Sequence, residues 1–508
     1  MVRASYGNTS LAFLLAALTC LTVADIAVSA LDPWAEMARL GRGLLHLDLL
    51  SIEAWSVIWT VAFAVLGVGV GAVCGLVLAI PYPALAPVRA LATVLRSIHE
   101  LFWALILIQI FGLGPTTGLL AIALPFTGFF AKVFAEIIEE ADLTAVQTLP
   151  PGTSRVSAFL YGRLPDLAEP FKTYTLYRLE CGLRSTLVLG FIGLPTIGFH
   201  LESYFKQGHY AQAAALLGTF YLLIGTRRIW ARPATLPVLV VASLVLLPEA
   251  VGGGSVWANL ARFLGHDIVP SPLRGHDLTM WSTWAAFGSW LQGILMREVA
   301  PGVVQTLVVA QVALAATGLL ALLVFPVVAR RFAGRVGQGL GRILLVVVRS
   351  TPEYMLAYVL LQLLGPSMVP AILALSLHNS GIVGYLMGRH ADGLPYRPDA
   401  PRGLNLYAYE TVPRLYGQFL AYMLYRWEII VRESAIFGIL GVATLGYYVE
   451  AAISEFRFDA AAILILATVA LSAVIDRLSR RLRRALRIDE LPTRLSTAAC
   501  APVRGSLP

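Results

Sequence analysis

Residues 174–180 read Tyr-Thr-Leu-Tyr-Arg-Leu-Glu, and residues 422–428 read Tyr-Met-Leu-Tyr-Arg-Trp-Glu. The offset of 248 residues continues without a gap. Tyr174, Leu176, Tyr177, Arg178, Glu180, Arg184, Gly190, Gly193, Thr196 and Gly198 recur as Tyr422, Leu424, Tyr425, Arg426, Glu428, Arg432, Gly438, Gly441, Thr444 and Gly446. Ten identities in 25 positions, mostly outside the generic Leu/Val/Ala set, mark an internal duplication. Pro165 maps to Pro413 at the same offset. Upstream, Arg96-Ser97-Ile98-His99-Glu100 corresponds to Arg349-Ser350-Thr351-Pro352-Glu353, and Gly114-Pro115 to Gly365-Pro366.

The 508 residues are 58% hydrophobic and only 13% charged, with a mean hydropathy of +0.75. That is roughly half the charge of a soluble domain (~25%). A soluble enzyme could not cover its surface with so little polarity, so lipid is the expected solvent. The net charge of +8 comes from 35 Arg and 3 Lys, set mainly at the ends of apolar stretches. This is the pattern that orients membrane helices; a nucleic-acid binder would carry basic stripes with aromatics on a polar face. Cys20, Cys74, Cys181 and Cys500 have no metal-ligand or disulfide-framework spacing.

A bilayer core needs about 20 apolar residues per helix. Candidate spans lie near 10–31, 55–80, 91–113, 115–137, 168–192 and 211–230, then near 234–251, 301–328, 342–364, 366–389, 416–441 and 459–476. The expected fold is all-α, with about twelve crossings in two six-helix repeats, 1–232 and 233–508. The first stretch could instead be a cleaved leader, since Val28-Ser29-Ala30 resembles a small-residue cleavage site, although no soluble domain follows it. Arginine bias puts both termini, including the basic tail from Arg477 to Arg487, on the cytoplasmic side. An even number of spans per repeat orients both repeats alike, so any pathway would run between them.

A charge at a helix centre costs about 2.5–3.5 kcal/mol on the insertion scale, so a helix carrying Arg178, Glu180 and Arg184 cannot face lipid. Glu180 and Arg184 are spaced i, i+4 for a same-face pair, whereas Arg178 lies about 200° around the helix from Glu180 and needs another partner. Arg426, Glu428 and Arg432 repeat this geometry, and Arg96/Glu100 and Arg349/Glu353 are also i, i+4. Two readings stay open: ion pairs that hold helices together, or arginines that line an anion path. Gly190, Gly193 and Gly198, with Gly438, Gly441 and Gly446, allow close packing or a hinge, and packing is favoured. His99, His378 and Asn379 read as polar residues satisfied by packing.

The segments 138–166 and 390–415 are long for connections in a bundle, and each ends on an apolar residue and Pro, Leu164-Pro165 and Val412-Pro413. They are docking surfaces for a soluble partner or ordinary loops. No Lys follows a Gly, so the chain carries no phosphate-cradling P-loop, and no catalytic cluster or nucleophile elbow is visible. A secondary transporter for an anionic solute also fits the duplication and the buried arginines. A lipid-directed membrane enzyme has no catalytic cluster to support it.

The segments RSIHELFWAL at 96–105, GTSRVSAFLYGRLP at 152–165, YTLYRLECGLRS at 174–185 and the following LGFIGLPTIG resemble the membrane permease of phosphonate-type, binding-protein-dependent ABC importers. LHNSGIVGYLMG, YMLYRWEIIVRES and FGILGVATLG in the second repeat resemble the same family. The resemblance implies a non-enzymatic permease of the bacterial inner membrane, with two such halves fused in one chain. It further implies separate ATPase subunits, two copies holding ATP and Mg, a periplasmic or extracellular substrate-binding protein, and a phosphonate or related phosphorus oxyanion as substrate. Gly152, Leu164 and Pro165 match the family's coupling pattern in spacing, whereas Val146, Gln147 and Thr148 stand where it has Glu-Ala-Ala. In the second segment Ala400 takes the Gly position, Gly403 is the nearby glycine, and Val412 and Pro413 close the motif. Unequal engagement of the ATPases by the two halves is therefore open.

Overall fold

A bilayer offers backbone amides no water, so apolar runs must satisfy them internally as helices. In the computed structural model every regular element among the described residues is helical. The structure describes residues 5–29, 32–141, 149–150, 152–154, 157–249 and 255–488. The helices up to the middle of the chain are α1 Tyr6–Leu21, α2 Pro33–Leu45, α3 Ala54–Ala79, α4 Ala86–Ser97, α5 Glu100–Phe111, α6 Pro115–Glu140, α7 Leu164–Val188, α8 Ile197–Gln207, α9 Tyr210–Trp230 and α10 Leu236–Val245. There follow α11 Val256–Arg262, α12 Trp281–Ile294, α13 Ala300–Val328, α14 Arg330–Ser350, α15 Glu353–Leu364, α16 Met368–Asp392, α17 Val412–Glu433, α18 Leu445–Ser454 and α19 Phe458–Ala485. The order from α3 to α9 is reproduced from α13 to α19, down to a 3₁₀ turn after each charged helix.

The chain forms two compact units. One takes in Ile52–Ser203 and Leu222–Gly254. Its centre is the packing of α3 on α6. Gly67, Gly71 and Gly75 recur every fourth residue on α3, and a Cβ at each would overlap Ile122, Phe126 and Phe130 respectively. Small residues at this spacing let two helix backbones approach where no hydrophobic effect drives them together.

The other unit takes in Met1–Ser51, Tyr204–Tyr221 and Ser255–Pro492. Its centre is α13 on α16, and here the closest approaches come from α16: Gly384 lies against Val324 and Gly388 against Val328. Helix α1 also docks in this unit. The Gln311 amide donates to the Phe13 carbonyl at 3.0 Å, Ser10 Oγ lies 2.7 Å from Tyr416 Oη, and Phe13 meets Trp427 edge-on at 5.0 Å.

Five helical runs are long and apolar enough to cross a membrane, Ala54–Ala79, Pro115–Glu140, Trp281–Val328, Val369–Asp392 and Phe458–Ala485; nine do so if each bent pair is one crossing. The expected twelve are not reached among the described residues. The stretches 10–31 and 234–251 yield only the shorter α1 and α10, and α9, over the stretch 211–230, carries Arg227 and Arg228 in its last turn. The stretches 91–113 and 342–364 are not continuous helices: α4 and α5 bend by 96°, and α14 and α15 by 90°. Pro352 supplies no amide proton, and Thr351 before it is extended (φ −67°, ψ 120°), which ends α14. In the first repeat Ile98 is extended instead (φ −84°, ψ 127°), and the His99 ring caps α5 by accepting from the Leu101 amide at 3.2 Å.

The α3–α6 crossing gives two substitutions opposite signs. Gly75→Ala should destabilise by about 1–3 kcal/mol through overpacking. Gly69→Ala, with open space around it, should gain up to ~1 kcal/mol of helix propensity. Thermal unfolding of the detergent-solubilised chain reads both.

Candidate functional site

Each charged helix ends against the short helix that follows it, and the glycines make this approach possible. A Cβ at Gly198 would overlap the Leu187 carbonyl, and one at Gly446 the Ala435 carbonyl. Gly190 and Gly438 press on the Phe199 and Tyr447 amides in the same way. Gly193 and Gly441 close the 3₁₀ turns in the left-handed region, at φ +89° and +83°, where a side chain would be strained. Threonines then lock the crossing. Thr60 Oγ1 accepts from the Ile197 amide at 3.0 Å and Thr306 Oγ1 from the Leu445 amide at 2.9 Å. Thr196 and Thr444 donate to the Thr186 and Ser434 carbonyls at 3.1 and 3.4 Å.

Within this frame the charges of the first repeat find partners that helical spacing did not indicate. Glu180 is buried and pairs with Arg227 at 2.9 Å, across to α9, rather than with Arg184 one turn along its own helix. Arg227 also donates to the Leu176 carbonyl at 3.0 Å. Arg184 reaches Cys181 Sγ at 3.4 Å. Arg178 sits in an aromatic cage: its guanidinium lies 4.4 Å over Phe129 and 5.2 Å over Tyr174, with Phe126 and Tyr177 each at 5.9 Å. Its Nε donates to Tyr174 Oη at 2.7 Å. A guanidinium is weakly hydrated and stacks on ring faces, so the aromatic cage stabilises the cation within the helix bundle.

The second repeat keeps the charges but not the cage. At the offset set by Gly128 and Gly381, which press on the Arg96 and Arg349 amides, Asn379 and Ile382 replace Phe126 and Phe129. Tyr422, the counterpart of Tyr174, shares a hydrogen bond with His390 Nε2 at 2.9 Å. Arg426 is half-buried and, among the described residues, makes no ion pair, hydrogen bond or ring contact. Glu428 is buried and Arg432 half-buried. Arg96 and Glu100 straddle the α4–α5 bend, and Arg349 and Glu353 the α14–α15 bend, so neither pair lies along one helix. Arg96 is buried, Glu100 accepts from Ser185 Oγ at 2.8 Å, and Arg349 stacks 4.7 Å over Tyr385.

The long connections also carry repeated features. Gly152 and Gly403 are exposed, with φ of +92° and +62° and open space around them. Each connection then winds into a short π-helical turn, Ala158–Arg163 or Leu406–Thr411. Leu164 and Val412 are half-buried and Pro165 and Pro413 exposed, each proline in the first turn of its helix, where the missing amide costs nothing. Val146, Gln147 and Thr148 lie outside the described residues. Sequence reading missed two side chains here: Tyr161 and Tyr409, at the same 248-residue offset, are 80% and 78% exposed. The second connection is also closed by its own ion pairs, with Glu410 3.0 Å from Arg397 and 3.7 Å from Arg414.

The phosphate-import permease protein PhnE of Mycolicibacterium smegmatis is 26% identical over 458 residues, 84% of this chain and 84% of that protein. The phosphite transport system permease protein PtxC of Stutzerimonas stutzeri is 29% identical over 223 residues, 42% of this chain and 81% of its own length. A cryptic phosphonate transport system permease protein of Escherichia coli, PhnE2, is 30% identical over 100 residues, which cover 20% of this chain and 82% of that protein. The chain belongs to the permease family of phosphonate- and phosphite-type ABC transport systems. No family model and no solved structure matches the permease. Family membership and the apolar helices make it a multi-pass membrane protein.

The unequal surroundings of Arg178 and Arg426 should register in stability. Arg178→Ala forfeits the cage and the Tyr174 bond and should cost about 1–2 kcal/mol. Arg426→Ala should leave the unfolding temperature nearly unchanged. Equal shifts in the two variants would mean that the cage contributes nothing.

Proposed function

We propose that the permease is the membrane pathway of an ATP-driven importer for a phosphonate or related phosphorus oxyanion, with two permease halves fused in one chain. The observation that carries this reading is the match to a phosphate-import permease along 84% of this chain, which itself holds two copies of a Tyr-x-Leu-Tyr-Arg-x-Glu motif. The repeated order of elements supports fusion of two halves: each copy supplies a charged helix, a glycine-locked turn and a long connection. Arg178, Arg184, Arg426 and Arg432 supply positive charge within helices, as an oxyanion requires.

The energy comes from separate ATPase subunits, two copies holding ATP and Mg, that dock on residues 138–166 and 390–415. An exposed tyrosine on a wound turn beside a left-handed glycine, present in both connections, is a suitable knob for such a partner. A tyrosine buries a large apolar face and keeps a polar tip, the profile of an interface anchor. Gly152 lies thirteen residues before its proline and Gly403 ten before its own, so the two connections present different shapes and the ATPases engage them unequally. A secreted substrate-binding protein delivers the oxyanion from outside.

The test is uptake of labelled phosphite, phosphonate and phosphate into proteoliposomes that hold the permease with its ATPase and binding protein. Uptake should require all three components and ATP. Uptake by the permease alone under an ion gradient would instead make it a secondary transporter. In the same assay Tyr161→Ala should reduce ATP-driven uptake severalfold while the protein stays inserted, and Tyr409→Ala should do so less. Gly152→Val, which forces a branched side chain to φ +92°, should leave ATP hydrolysis running without proportionate uptake.

A further inference from the structure

Helix α14 has two faces, and the outward one is apolar. Gly334, at φ +69°, breaks the helix after its first turn. Over 335–350, Gln338, Gly341 and Leu345 are buried along one side. On the other side Val336, Leu340, Ile343, Leu344 and Val347 recur at i, i+4, i+7, i+8 and i+11, and they are 37–78% exposed. That spacing makes one continuous stripe pointing away from the protein. Arg335 and Arg342, seven residues apart, run along one edge of it.

The start of α14 and the end of α16 border a cavity of about 730 Å³, lined by Arg330, Arg331, Arg342, Gln338, Asp392 and Tyr396. Its one carboxylate is already held by the protein. Asp392 accepts from the Arg330 amide at 2.7 Å and from Gln338 Nε2 at 2.6 Å, and it lies 3.4 Å from Arg342 Nη2. Among the described residues, the guanidinium groups of Arg330 and Arg331 make no ion pair or hydrogen bond; that of Arg331 lies 5.9 Å over the Tyr396 ring. The wall therefore carries positive charge in excess, on planar donors that match phosphate oxygens.

The first repeat has no such cluster. At the offset set by Arg96 and Arg349, Val77, Leu78 and Tyr82 stand at the positions of Arg330, Arg331 and Arg335. Arg89 stands at that of Arg342, and its Nη1 donates to the Tyr82 and Pro83 carbonyls at 3.1 and 2.7 Å.

We propose that the cavity and the stripe of α14 together bind an anionic phospholipid, its phosphate among Arg330, Arg331 and Arg342 and its acyl chains along Leu340, Ile343, Leu344 and Val347. Arg342 both lines the cavity and borders the stripe, so the two surfaces are continuous. A freely diffusing phosphate would account for the arginines but not for the apolar face beside them. The rise from Arg335 to Arg342 is about 10 Å. A helix standing on end would carry Arg342 that far into hydrocarbon, whereas one lying along the membrane surface keeps both cations at headgroup level. The 90° bend between α14 and α15 permits this, since α15 can turn inward while α14 stays at the surface. A basic edge beside an outward apolar face suits a negatively charged bilayer. The site does not depend on which solute the permease carries.

The test titrates the full chain, in neutral detergent, with dioleoyl phosphatidylglycerol and in parallel with dioleoyl phosphatidylcholine. Native mass spectrometry reads bound lipid, and thermal unfolding reads its effect. Phosphatidylglycerol should be retained about tenfold better or more and should raise the unfolding temperature. The double variant Arg330→Gln, Arg331→Gln should lose that preference severalfold and hold phosphatidylcholine as before. Leu340→Asn with Leu344→Asn should weaken retention of both lipids. Arg402→Gln, an exposed arginine outside the cavity, should change nothing. Where the arginine double variant fails to fold, Arg335→Gln should show a smaller loss of the same preference. Equal retention of the two lipids by the wild type overturns the proposal, as does an unchanged preference in the folded arginine variants. Displacement of the lipid by inorganic phosphate, with the leucine variant behaving as wild type, also overturns it, because the cavity then serves a free oxyanion.

Discussion

A polar group inside an apolar helix has no water to fall back on, and this constraint shapes both repeats more than any apolar contact does. Thr60 and Thr306 meet the first free amides of the short helices α8 and α18, donors that an aqueous protein could leave to solvent. The lock works only because Gly198 and Gly446 let one backbone lie against another. Once the crossing is fixed, the charged helix before it has a fixed direction. Arg178 is then delivered to its ring cage and Glu180 to Arg227. The glycines, threonines and arginines of the repeated motif are therefore parts of one arrangement.

The same constraint explains where the repeats part company. A carboxylate, a guanidinium or an amide that loses its counterpart must find another or stay exposed. In the first repeat Phe126 and Phe129 surround Arg178; in the second, Asn379 and Ile382 take those places, and Arg426 stays half-buried and, among the described residues, without a partner. Tyr422 turns to His390, and Asn379 becomes part of an acidic cluster. One pair of exchanges on α16 thus goes with new surroundings for two neighbouring side chains, Arg426 and Tyr422.

Much of the architecture was legible in the sequence because duplication and apolarity are properties of long stretches. The 248-residue offset and the all-helical membrane fold are of this kind. What was not legible depends on single backbone angles or on distant partners. An apolar window cannot register the bends at Ile98-His99 and Thr351-Pro352, although Pro352 was a visible signal. Spacing along one helix pointed Glu180 at Arg184, while its partner lies 47 residues on in α9. The donor atoms of Glu353, His378 and Glu433 lie within 4.8 Å of one another but come from three segments with no shared spacing, so His378 and Asn379 read as isolated polar residues. Tyr161 and Tyr409 could have been found, since they share the offset that revealed the duplication.

Arg178 in its cage and Arg426 outside one have a genetic consequence. Copies encoded in a single reading frame are always synthesised in equal number. A change in one copy is therefore never doubled by symmetry, as it would be in a homodimer. That freedom lets equivalent positions of the two copies diverge, as the settings of Arg178 and Arg426 do.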